Sequence, residues 1–212
     1  MRLKVERSRL PRVSARQRLS DDAILDSACA VFAADGFDGT TMAAVAARAG
    51  TTKPTLYSRF GSKESLFEAA VEREYELLIG RLFAAYAVRP DEPFRSSLHR
   101  WVAAYFDFVA ERPDGFRLSS EGERHAAAAA IVQRADSRII ARIAALVEQV
   151  SGREVGAGGR LVAAMIAGML TWCAREAVAC GAELAAASAL CESFLHAALR
   201  RLDVELVAGA AG

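Results

Sequence analysis

The stretch that most constrains this chain runs from Thr40 to Lys63, TTMAAVAARAGTTKPTLYSRFGSK. A hydroxyl at Thr40 or Thr41 can accept a hydrogen bond from the first free N–H groups of a helix. Met42, Val45, Ala46 and Ala49 recur at helical spacing and predict an inner face. Gly50 predicts a turn, because glycine takes left-handed backbone without a Cβ clash. Thr51 and Thr52 offer the next cap. Pro54 suits a first helical turn, where a missing N–H costs little. Leu56 and Phe60 point back to the core, Gly61 stops the second helix, and Ser62 caps another. Two short helices on a tight turn have few ways to pack. Small Ala46 falls where they touch, and Leu56 anchors the second helix on the first.

The opposite face of the second helix is then free for a partner. It carries Thr52, Lys53, Thr55, Tyr57, Ser58 and Arg59, hydrogen-bonding types suited to phosphates and base edges. The segment is therefore read as a helix-turn-helix with its second helix in a DNA groove. Charge agrees in distribution. Residues 1–63 hold 11 Lys or Arg against 6 Asp or Glu, and residues 64–212 hold 16 against 20. A basic front and an acidic rear place a polyanion at one end. The excess lies in residues 1–20, with seven basic residues against one acidic, so the motif stands on its own residues. Arg outnumbers Lys 24 to 3, a bias that also follows from GC-rich coding.

Along the chain, residues 1–19 lack periodicity and are expected to be a basic flexible arm, disordered until DNA is present. Ser20 or Asp21 caps a helix whose apolar positions are Ile24, Ala28, Val31 and Phe32. Gly36 ends it, and Phe37 folds back on its end. After the motif a long helix runs from Ser62 to about Val88. Breaks at 89–93 and at Pro113 to Gly115 bound a helix from Phe94 to about Arg112. A short helical piece is expected near Phe116 to Ser119. Longer helices are expected over about 123–150, 160–180 and 183–206. No alternating strand pattern of useful length occurs. The chain is read as all-α, about nine helices: a three-helix helix-turn-helix domain over 20–66 and a helical ligand-binding and dimerisation domain over 67–212.

The run from Ile24 to Phe67, ILDSACAVFAADGFDGTTMAAVAARAGTTKPTLYSRFGSKESLF, resembles the N-terminal domain of TetR-type transcriptional regulators. ILDSACAVFAADGF matches the first helix, TT with VAARAG the second, TLYSRF the recognition helix, and SKESLF the start of the fourth. The family pattern often has Gly where Pro54 stands and His where Arg59 stands. By this resemblance Thr41 contacts phosphate at the start of the second helix. Thr52 and Lys53 lie where the recognition helix begins, near the DNA. Thr55, Tyr57, Ser58 and Arg59 share groove and backbone contacts, and Lys63 meets phosphate at the start of the fourth helix. The arm either reaches the minor groove or is a plain flexible tail.

One short recognition helix binds weakly, so a homodimer on a pseudo-palindromic operator in double-stranded DNA is expected. The last two helices are the expected interface. They carry Ala163, Ala164, Ala167, Gly168, Ala185, Ala186 and Ala189, with Leu190, Phe194 and Leu199 as larger packing residues. Between the remaining helices Trp101, Tyr105 and Phe108 share a face, Phe116 follows, and Met165, Met169 and Trp172 recur at helical spacing. Such stripes serve as core or as pocket walls. The resemblance implies an inducer bound among them, and Tyr105, Trp172, His99 and His125 are the candidate polar handles. No charged residue falls inside the cluster, which predicts a small, neutral or weakly charged hydrophobic effector.

The function expected is a cytoplasmic, ligand-responsive repressor, with an activator or a ligand-independent regulator as the alternative. The three histidines are far apart, no metal-ligand spacing occurs and no phosphate loop follows a strand. No enzyme, cofactor or metal is expected. Leu161 to Cys180 is the most apolar segment. Arg175 and Glu176 interrupt it, so it is read as a buried helix rather than a membrane span. The cysteines at 29, 173, 180 and 191 are read as small buried hydrophobes.

Overall fold

The computed structural model describes residues 20–89, 91–152, 154, 156–203, 205 and 207. The basic arm over 1–19 lies outside the described residues. Among them are nine helices and no strand: α1 Asp21–Gly39, α2 Met42–Arg48, α3 Lys53–Phe60, α4 Lys63–Ala85, α5 Phe94–Glu111, α6 Pro113–Arg124, α7 Ala126–Ser151, α8 Gly156–Cys180 and α9 Leu184–Arg200.

The front of the molecule follows its local signals closely. Ser20, Thr41, Thr52 and Ser62 each adopt extended backbone, and their hydroxyls accept from Ala23, Ala44, Thr55 and Ser65 N–H respectively. Gly36, Gly50 and Gly61 all have positive φ. At Gly36 the regular part of α1 stops, and a kinked last turn carries Phe37 back inward. Phe37 stacks 6.1 Å from Phe32, and both meet Phe67 of α4 edge-on at about 5 Å. Leu66 and Phe67 are wholly buried in the same core as Ile24, Val45 and Leu56. The core is continuous through α4 into the rear helices, so the domain division drawn at 66/67 crosses packed side chains.

Two elements differ from expectation. The helix before α7 is a full element, α6, because Pro113 occupies its first turn, where proline is pre-organised. It ends at His125, whose extended backbone (ψ 122°) breaks the run, and His125 Nδ1 accepts from Ala127 N–H at 3.3 Å to start α7. The His125 ring lies 3.9 Å from Phe37, so this imidazole is packing for the front domain and no handle in a cavity. His99 pairs with Glu192 at 2.7 Å on the surface.

α8 is the second difference. It is long and apolar enough to span a membrane by length and composition, with 28% of that stretch buried. It is not the buried helix expected. Val162, Ala163, Leu170, Ala174 and Ala177 face inward, while Leu161, Met165 and Trp172 are exposed, as are Leu190 and Phe194 of α9. Of the cysteines, Cys29 and Cys191 are buried, Cys173 is half-buried, and Cys180 is exposed against expectation.

Candidate nucleic-acid interface and ligand cavities

α3 is held by buried Leu56, with Phe60 half-buried against the core, and displays its other face. Leu56 is 0% exposed while the next residue, Tyr57, is 51% exposed. Lys53, Ser58 and Thr52 are also outward, and Thr55 is half-buried. The Thr52 and Thr55 hydroxyls lie 2.9 Å apart, so they steady the first turn as well as offering groups to a partner. Thr41 is exposed at the start of α2. Thr41, Lys53, Tyr57 and Ser58 are each exposed.

Two expected DNA contacts are held elsewhere in this conformation. Arg59 donates from Nη1 to Asp21 Oδ1 at 3.0 Å, tying the end of α3 to the start of α1. Lys63 donates from Nζ to the carbonyls of Phe37 and Thr40 at 2.9 and 3.1 Å, and lies 4.4 Å from the centre of the Phe37 ring. It caps carbonyls left open where α1 ends. One of its three N–H donors is left for another acceptor.

Behind this surface a polar cluster joins the front to the rear. Glu74 of α4 is 1% exposed and accepts from Arg112 Nε and Nη2 at 2.7 and 2.6 Å. Arg112 also reaches Asp26 of α1 at 3.0 Å. Arg73 bridges Asp22 and Asp26 at 2.9 and 2.8 Å. Partial burial of Asp26 opposes its charge, but the bonds from Arg73 and Arg112 win and lower its pKa. Gly115 is required beside this pair, since a Cβ there would lie 2.1 Å from Glu74 Oε2. α1, α4 and the α5–α6 junction are thereby fastened at one point.

The rear helices enclose two neighbouring cavities. One, of about 360 Å3, lies among α5, α7, α8 and α9 and is lined mainly by apolar residues, with Trp101 on its wall. Among the described residues the buried Trp101 indole N–H has no acceptor. The other, of about 370 Å3, lies among α4 to α8 and includes Tyr105, Phe108, Phe116 and Trp172. Tyr86, Ile143 and Leu170 form a wall common to both. The seven residues expected to line one pocket are therefore split. Met169 packs against the core on neither cavity, and Met165 is 63% exposed on the outer face of α8. Trp172 is 69% exposed and borders the second cavity at its edge, 5.3 Å from the Arg175 guanidinium.

The second cavity also corrects the expectation that the cluster holds no charge: Glu123, Asp136 and Arg175 line it. Sequence reading missed all three. Arg175 carried a signal, as a charge within an otherwise apolar helix. Burial pushes the Tyr105 hydroxyl up to about 12, against its bond to Thr171 at 3.4 Å. Among the described residues no three His, Cys, Asp or Glu side chains gather into a metal-binding group.

A helix-turn-helix displayed by a small front domain, on an all-helical body with internal cavities, is the architecture of a DNA-binding regulator. Residues 24–70 match the family described as bacterial regulatory proteins, tetR family. The chain is 34% identical over 116 residues to the HTH-type transcriptional activator FasR of Mycolicibacterium smegmatis, covering 55% of this chain and 50% of FasR. It is 37% identical over 57 residues to IcaR, the negative regulator of the biofilm operon icaADBC in Staphylococcus aureus, covering 27% of this chain and 31% of IcaR. The chain thus spans half or less of the length of these curated relatives.

A TetR-like regulator from Rhodococcus sp. RHA1 superposes with a TM-score of 0.71 at 28% identity, over 92% of this chain and 100% of that one. FadR from Bacillus subtilis, solved in complex with stearoyl-CoA, shares the fold with a TM-score of 0.71 at 17% identity, over 83% and 97%. Residues 24–70 thus match the tetR family of bacterial regulatory proteins, and the fold of the longer chain is shared with the TetR-like regulator from Rhodococcus. These relatives are regulators, not enzymes.

Proposed function

We propose that this protein binds a pseudo-palindromic operator in double-stranded DNA as a homodimer, acts as a repressor in the cytoplasm, and is released by a small hydrophobic effector. The observation that carries the reading is α3, with Leu56 buried and Tyr57, Lys53 and Ser58 turned outward. Thr41, Thr52, Thr55, Tyr57, Ser58 and Lys53 supply the contacts. Arg59 joins them by exchanging Asp21 for phosphate, and Lys63 through its remaining N–H.

Dimerisation through α8 and α9 is supported by the exposed apolar face of Leu161, Met165, Trp172, Leu190 and Phe194, too large a set to leave in water on a monomer. The cavities support an effector among the rear helices, with Tyr105, Phe108, Phe116 and Trp172 around one and Trp101 in the other. The Bacillus subtilis protein of the same fold holds stearoyl-CoA, whose long acyl chain agrees with a ligand that has a large apolar part. FasR, an activator by name, supports activation as the second reading.

The test is fluorescence anisotropy with a labelled fragment from upstream of the protein's own gene. Binding is expected, with affinity falling steeply as salt rises because counterions are released from phosphates. Equal affinity for that fragment and for unrelated DNA at every salt concentration refutes the reading. Reporter expression with the gene deleted separates repressor, where output rises, from activator, where it falls.

A further inference from the structure

The second cavity does not have the charge balance of a site for a fatty carboxylate. Its ionic groups are the carboxylates of Glu123 and Asp136 and the guanidinium of Arg175. Arg175 is already paired with Glu123. Among the described residues nothing hydrogen-bonds or pairs with Asp136. Asp136 is an exposed residue bordering the cavity, and the surrounding protein first, then the nearby Glu123 charge, favour its protonated form against the pull of Arg175. This carboxylate therefore lacks a compensating charge of its own.

The Tyr75 hydroxyl offers the cavity a second polar group. Tyr75 is 6% exposed and lines the cavity, and among the described residues its hydroxyl has no hydrogen-bond partner. Burial first, then Asp136 and Glu123, make that hydroxyl harder to ionise, as they do for Tyr105. With two carboxylates against one guanidinium, the charged side chains lining the cavity sum to a net negative charge. Around it stand the rings of Tyr105, Phe108 and Phe116, whose faces attract cations. One buried donor, Arg175 Nε, has no acceptor among the described residues. A neutral oxygen would satisfy it, whereas a ligand carboxylate there would also face Glu123 and Asp136.

The geometry points to a cationic amphiphile as the ligand of this cavity: an apolar body among the aromatic rings, with a single ammonium-type charge held at Asp136 beside Tyr75. The volume, about 370 Å3, lies in the range of small-molecule sites. The inference rests on the proposed role of the cavity as the effector site and names the chemistry of that effector.

The experiment uses the full chain without DNA and three probes of equal chain length below their micelle concentrations: dodecyltrimethylammonium, dodecanol and dodecanoate. Affinity is read by calorimetry and by tryptophan fluorescence. The ammonium should bind about tenfold more tightly than dodecanoate, with dodecanol between, as expected for one partly screened charge interaction. Asp136→Asn should weaken ammonium binding about tenfold and leave dodecanol unchanged. Asp136→Ser, checked for native helicity by circular dichroism, serves the same purpose if the first variant misfolds. Dodecanoate binding as tightly as the ammonium, no binding of any probe, or an unchanged ammonium affinity in the variants overturns the inference. DNA release is measured separately. Ammonium binding that leaves the DNA complex intact refutes the effector role of the cavity while the charge preference stands.

Discussion

Replacing Gly115 with alanine tests the junction between the front and rear of the molecule. The added Cβ would lie 2.1 Å from Glu74 Oε2 and 2.8 Å from Glu74 Cδ, where contact requires roughly 3.5 Å. Glu74 must move by more than an ångström, and it is 1% exposed. Moving it breaks the paired bonds to Arg112 at 2.7 and 2.6 Å. Breaking a buried ion pair costs about 3–5 kcal/mol. Alanine returns about 0.5–1 kcal/mol of helix propensity within α6. A net loss of about 2–4 kcal/mol follows, and a Tm lowered by roughly 5–15 °C for a chain of this size. The assay is thermal circular dichroism at fixed protein concentration, since association shifts Tm. The same substitution in a Glu74→Ala background should be neutral or stabilising, because the clash is gone. An unchanged Tm for Gly115→Ala, or an equal loss in both backgrounds, refutes the reasoning.

Tyr57→Ala should weaken operator binding by roughly 1–3 kcal/mol, the cost of one good contact, with Tm unchanged. Leu56→Ala should lower stability by about 2–5 kcal/mol through a cavity in the core; equal melting of the two variants contradicts the assignment of their faces. Phe194→Glu should convert the proposed dimer to a 22.7 kDa monomer by placing a charge in the proposed α8–α9 interface, and a dimer that survives in sedimentation removes α9 from that interface. Acid should unfold the protein by protonating paired carboxylates. Asp26 holds its proton less tightly folded than its ordinary value of 3.8, so its contribution is complete above that value and disappears as pH falls through the lower folded one. Glu111 and Glu121 are also lowered, by Arg81 and Arg124. Denaturant midpoints should hold from pH 7 to about 5 and then fall. Asp26→Asn should flatten part of that fall, and identical acid limbs in the two proteins speak against the Asp26 linkage.

The sequence by itself determined the helices at the front of the molecule and the exposure of the α3 face that carries Lys53, Tyr57 and Ser58. Those signals are local. Ser20, Thr41, Thr52 and Ser62 cap N–H groups three residues away, and Gly36, Gly50 and Gly61 sit where left-handed backbone is required. A cap or a turn is settled within one helical turn, so it can be read in a linear chain. Tertiary structure decided what the charged and long apolar side chains do. Arg112 meets Glu74 across 38 positions, Arg59 meets Asp21 across a further such separation, and Lys63 turns to carbonyls of α1 rather than outward. Met165, Met169 and Trp172 share helical spacing, yet the packing of α8 sends them to a surface, a core and a cavity edge. Asp136 and Arg175 become cavity walls only because α7 and α8 pack around the same space. Periodicity states which residues share a face of one helix; which neighbour that face meets depends on contacts remote in sequence, and only the assembled fold supplies them.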